Sequence, residues 1–195
     1  MKNDAIVRSA QPLLQVYDHQ AKALVPITQQ AFVKDWSVGQ AMTRFRKVST
    51  ELACIDSKSP TIMDVERAFG PDVAQAYIES WIVNLRLFFN VGKGMNDTQT
   101  METAMLIVDA FPHLNIADIN LVCKRAKQGY YGQIYDRLDG NVIIGWFNRY
   151  FDDRCERAAE RSQREAEQFN MNIKDTPERI EKEIRNILKL EKHGK

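Results

Sequence analysis

Apolar positions along the chain recur mainly at intervals of three and four residues, the period of helices that bury one face. The widest stripe lies between about Asp72 and Asn90. There Val73, Tyr77, Trp81, Leu85 and Phe88 follow in steps of 4, 4, 4 and 3, and Ile78, Ile82 and Phe89 broaden the face. So broad a stripe predicts a helix packed between several others, with its rings as core rather than as a cofactor box. Before it, Thr61 stands ahead of Ile62, Val65 and Phe69, predicting a short helix that Gly70-Pro71 ends. After it, Met101, Met105, Ile107 and Val108 predict a helix over 98–111. Asn115 is a cap with Asp118 at the third helical position, so a further helix is expected over 116–128, with Ile119, Val122, Cys123 and Ala126 inward and Gly129 as its stop. Nearer the N-terminus, Leu14, Tyr17 and Leu24 suggest a helix over 11–24, closed by Pro26. Ser37 would cap another running through Met42, Phe45, Val48 and Leu52.

Two readings compete for residues 133–144. Asp139-Gly140 between IYDRL and NVIIG is a hairpin signal. Alternatively, Asp139 caps a helix whose face is Val142, Ile143, Phe147, Tyr150 and Phe151; spacing of three and four through Phe151 favours the helix. Beyond Phe151 the chain turns polar: residues 149–195 hold 12 basic and 11 acidic side chains. Asp153–Arg157 and Glu160–Arg164 are ordered as favourable i,i+4 pairs, so the helix is expected to continue, solvated, to a break at 170–175. Thr176-Pro177 then opens a last helix with the narrow stripe Ile180, Ile184, Ile187 and Leu188, which would dock on a partner or a second copy of the chain. The architecture implied is an all-α multi-helix bundle over residues 1–155, with a charged helical extension over 156–195.

Composition narrows the class. Gly and Pro number 9 and 6 in 195 residues, few enough breakers to favour long helices, and 44% hydrophobic residues supply a core. Three cysteines, Cys54, Cys123 and Cys155, lie far apart with no CxxC, and no apolar leader or membrane-length run occurs. A reduced, cytoplasmic, soluble protein is expected. The net charge of +1 removes any whole-protein argument for polyanion binding, so a basic surface must be local. No HExxH, clustered Cys/His set, phosphate-binding loop or GxSxG elbow is present. Asp136, Asp139, Asp152 and Asp153 are accounted for by capping and surface pairing without a metal. No catalytic residue, cofactor or metal ligand is assigned.

One constellation concentrates chemistry. Lys124, Arg125 and Lys127 close the 116–128 helix, and Tyr130, Tyr131, Tyr135 and Arg137 follow within ten residues. Cations beside aromatic rings are what single-stranded nucleic acid requires, for phosphates and for base stacking. The same residues also serve a helix C-terminus and a core edge, and convergence of Arg44, Arg46 and Lys47 on this face would favour the binding role. A major-groove recognition helix is disfavoured, because the leading residues Ile116, Ala117, Asp118, Ile119 and Asn120 carry no cation.

The segments FPHLNIADI (111–119), GYYG (129–132), YDRLD (135–139) and GWFNRY (145–150) resemble an uncharacterised family of small helical proteins from bacterial phages and mobile elements, over about residues 95–155. That resemblance carries no established activity and no functional residue. By association it implies a role in DNA replication or host takeover. The expected function is a non-enzymatic accessory protein that binds nucleic acid or a replication protein, through Lys124, Arg125, Lys127, Tyr130, Tyr131 and Arg137. The alternative is a protein–protein adaptor or inhibitor acting through Ile180, Ile184, Ile187 and Leu188.

Overall fold

The computed structural model describes residues 13–192, with side chains up to Asn170 and at Glu181. It comprises two compact units, Met1–Arg154 and Cys155–Lys195. The first holds the core, which is mainly helical but opens on a β-hairpin.

In place of the helix expected over 11–24, β1 (Leu13–Asp18) pairs antiparallel with β2 (Ala23–Thr28), Leu14 opposite Ile27 and Val16 opposite Val25. The buried residues Leu14 and Val16 alternate with exposed Leu13 and Gln15, a period of two. The turn is held by Asp18, whose carboxylate accepts from the Gln20 and Ala21 N–H groups, and by Lys22 at a positive φ of 52°. Pro26 is tolerated because two strands leave each with a free edge.

α1 (Gln29–Asp35) follows, capped by Thr28 and burying Phe32. The single helix expected from Ser37 to Leu52 is instead two, α2 (Val38–Arg44) and α3 (Glu51–Asp56), the second capped by Thr50. The carbonyls freed between them find donors on a distant helix, as described below.

α4 (Ile62–Phe69), α5 (Pro71–Phe89), α6 (Asp97–Ala110) and α7 (Ile116–Lys127) lie where the periodicity placed them. Reciprocal capping boxes start α4, α6 and α7 at Thr61/Asp64, Asn96/Gln99 and Asn115/Asp118. Gly70, at φ 95°, turns α4 into α5. Trp81 is 1% exposed at the centre of the core. Two face assignments change. Phe88 is 55% exposed, and α6 buries Thr100, Thr103, Ala104, Ile107 and Val108 while Met101 and Met105 face outward. The threonine hydroxyls donate back to the Asn96 and Gln99 carbonyls, which makes a polar residue tolerable on the buried side.

α8 (Gly140–Lys192) resolves the choice at 133–144 in favour of the helix: the Asp139 carboxylate accepts from the Val142 N–H. No break appears at 170–175, and the helix is continuous to Lys192. The stripe Ile180, Ile184, Ile187 and Leu188 lies outside the residues whose side chains are described. No helix among the described residues is long and apolar enough to cross a membrane.

Candidate nucleic-acid interface

α7 is the pivot of the first unit. Every residue from Ile116 to Cys123 is buried, and the helix contacts α2, α3 and α5. Its capping acid, Asp118, is 0% exposed. One carboxylate oxygen accepts from the Tyr150 hydroxyl at 2.6 Å and from Arg154 Nε at 3.1 Å; the other accepts from the Asn115 N–H at 2.9 Å. Burial raises the Asp118 pKa, and these donors oppose the rise. Asn115 also donates to the Cys54 carbonyl at 2.9 Å. With its leading turn enclosed in this network, α7 cannot insert an N-terminus into a DNA major groove.

The last turn of α7 behaves differently, and its three cations divide in role. The Lys124 ammonium donates to the Arg46 and Val48 carbonyls, each at 3.0 Å, capturing the backbone left open between α2 and α3. Arg125 forms an enclosed ion pair with Glu51. Burial pulls the Arg125 pKa down, but hydrogen bonding and attraction to Glu51 outweigh it and hold the guanidinium charged. Lys127 donates to the Asn84 side chain and lies over the exposed Phe88 ring at 5.3 Å. Burial lowers its pKa.

The following residues separate as well. Tyr130 is 50% exposed, with the Arg125 guanidinium 4.9 Å and the Arg149 guanidinium 5.3 Å from its ring centroid. Tyr131 instead stacks on Trp146 at 6.1 Å and 19°, as a packing residue. Tyr135 is exposed and donates to Gln133. Arg137 pairs with Asp139 at 3.0 Å, in the segment bridged to Lys93. The structure thus places Lys124 and Lys127 on the face of α7 toward α5, sets Arg125 with Glu51 and Tyr130, and engages Tyr131 and Arg137 elsewhere.

Lys124 and Lys127 line an open groove of about 380 Å³, where α2, α5 and α7 meet. Helical spacing lines it with Asn120, Cys123, Lys124 and Lys127 from one face of α7, and with Trp81 and Phe88 from one face of α5. Met42, Arg46 and Gln128 complete the wall. The Cys123 thiol is pushed up to about 12 by burial and is therefore no nucleophile at neutral pH. Asn120 is 3% exposed. Of the three residues whose convergence would favour binding, Arg46 lines the groove, whereas Arg44 lies over Trp36 at 4.1 Å. The α7 end of the site was legible as a basic run. Trp81, Phe88 and Asn120 were not, because each sits inside an apolar stripe that reads as core. No family model, curated protein or solved structure matches the chain.

Proposed function

We propose that the chain is a non-enzymatic accessory protein of phage or mobile-element DNA metabolism that binds single-stranded nucleic acid across the α2–α7 surface. One observation carries this reading. Arg46, Lys124 and Lys127 rim a single apolar groove, Arg149 lies over the exposed Tyr130 ring, and none of the four is ion-paired among the described residues. Clustered, uncompensated cations raise the local potential, and a polyanion relieves it. Exposed rings between those cations suit unstacked bases, which a duplex does not offer.

The test is anisotropy of a fluorescent 12-nucleotide single strand at low salt. Arg46→Glu with Arg149→Glu removes binding and leaves the melting temperature unchanged, since both side chains are exposed. Reversal at Lys124 and Arg125 is a poor choice, because both hold the α2–α3 connection in place. Absence of binding to any single strand at low salt overturns the proposal.

The alternative reading, a protein–protein adaptor or inhibitor acting through the C-terminal helix, draws on α8 continuing to Lys192, beyond the first unit. A lone helix in water gains from a partner to pack on.

A further inference from the structure

From Cys155 onward the described chain is a single helix, the remainder of α8, and within that unit no second element lies against it. Its residues nevertheless sort onto faces with a period of seven. Ala159, Ala166, Ile173, Ile180 and Ile187 recur at that interval. Cys155, Ser162, Phe169, Thr176, Glu183 and Leu190 recur at the same interval between them. These are the a and d positions of a coiled-coil heptad. Only one of the eleven is charged, against thirteen of the sixteen b, c and f positions from Cys155 to Lys192. The described ion pairs respect this division. Glu160, at b, pairs with Arg157 at 3.1 Å and Arg164 at 3.2 Å, both at f. Where side chains are described the seam is uncovered: Cys155, Ala159, Ser162 and Ala166 are exposed, and Phe169 is 65% exposed. Pro177 cannot give the N–H that the Ile173 carbonyl would take, but it falls at e, beside the seam rather than in it.

We infer that this seam is a homodimer interface, covered by α8 of a second copy running antiparallel, with Ile173 opposite Phe169 and Ala166 opposite Thr176 of the other chain. A seven-residue period sustained over five a positions matches another helix rather than a flat surface. The antiparallel register follows from size and charge. It sets Ile187 against Cys155 and Ile180 against Ser162, a bulky residue against a small one in each layer. On the flank it sets Glu165 against Arg179, both at g, and symmetry makes that pair twice. A parallel, in-register pair would instead bury Glu183 against its own copy, like charge on like. The dimer goes beyond strand binding and stands or falls without it.

The experiment combines light scattering with disulfide mapping on the full chain. The expected mass at micromolar concentration is twice the 22.5 kDa of one chain. Ile173→Asp with Ile180→Asp should give a monomer whose first unit melts unchanged. Glu165→Arg should weaken the dimer about tenfold, as two flank pairs turned repulsive allow, and adding Arg179→Glu should restore it. Cys155 is exposed whereas Cys54 and Cys123 are buried, so Ile187→Cys places one new thiol beside one reactive natural thiol. Air oxidation should link position 155 of one chain to position 187 of the other. The two positions are about 48 Å apart along one helix, at about 1.5 Å per residue, so no link forms within a chain. A monomer at every concentration overturns the proposal. So does a dimer that survives the double aspartate variant, or a disulfide joining 155 to 155 or 187 to 187.

Discussion

A buried carboxylate is the most consequential single residue in the first unit. Asp118 is enclosed, and burial lifts its pKa above the ordinary 3.8 although Tyr150, Arg154 and Asn115 all donate to it. The folded state therefore binds the proton more tightly than the unfolded chain. This group's contribution to stability is fully present below about pH 3.8 and is lost as pH rises through the raised folded value. Tyr150→Phe removes the shortest of the donated hydrogen bonds. It should cost about 1–3 kcal/mol at neutral pH and carry the falling limb of stability to higher pH. Urea unfolding of both proteins across the acid range reads both effects. Asp118 was legible as a helix-capping acid from its spacing to Asn115. Its burial was not, because Tyr150 and Arg154 lie more than thirty positions away and nothing local marks them as partners.

Elements were readable where a local signal and the core agreed. α4, α6 and α7 start with a side chain that bonds its own backbone, and α5 carries a stripe no other element rivals. The hairpin was missed because its turn, His19 to Lys22, lacks the Gly or Asn that marks tight hairpins, and Asp18 supplies the turn hydrogen bonds instead. The division of α2 from α3 was missed for a tertiary reason. The Lys124 ammonium, 78 positions beyond Arg46, takes over carbonyls that a continuous helix would have used itself. The assignment of α6 erred in phase, since methionines outrank threonines by hydropathy while satisfied threonine hydroxyls bury at little cost. The α5 register is tested by Trp81→Ala. Loss of a ring that is 1% exposed should cost about 3–5 kcal/mol in chemical denaturation, with the cooperativity of unfolding retained.

At the scale of the molecule, the helical class was legible from scarce breakers and helical periodicity, apart from the hairpin. Among the described residues, the buried hydrophobic core lies within positions up to Tyr150. A chain ending at Asn170 should therefore unfold cooperatively at an unchanged melting temperature by circular dichroism. If residues 176–195 serve a partner, deleting them abolishes that association alone. The proposed interface, by contrast, stands on the first unit.

The central claim is that cations free of ion pairs, at the α5–α7 groove and over the Tyr130 ring, meet the phosphates of a single strand. The most direct measurement is the slope of log K against log salt concentration for a labelled single strand, using the full chain and the Arg46→Gln/Arg149→Gln pair. Each phosphate contact contributes about 0.7 to the slope on single strands. Removing two cations should make it shallower by about 1.4, with no change in melting temperature. A slope identical in the two proteins, or no binding even at low salt, contradicts the account.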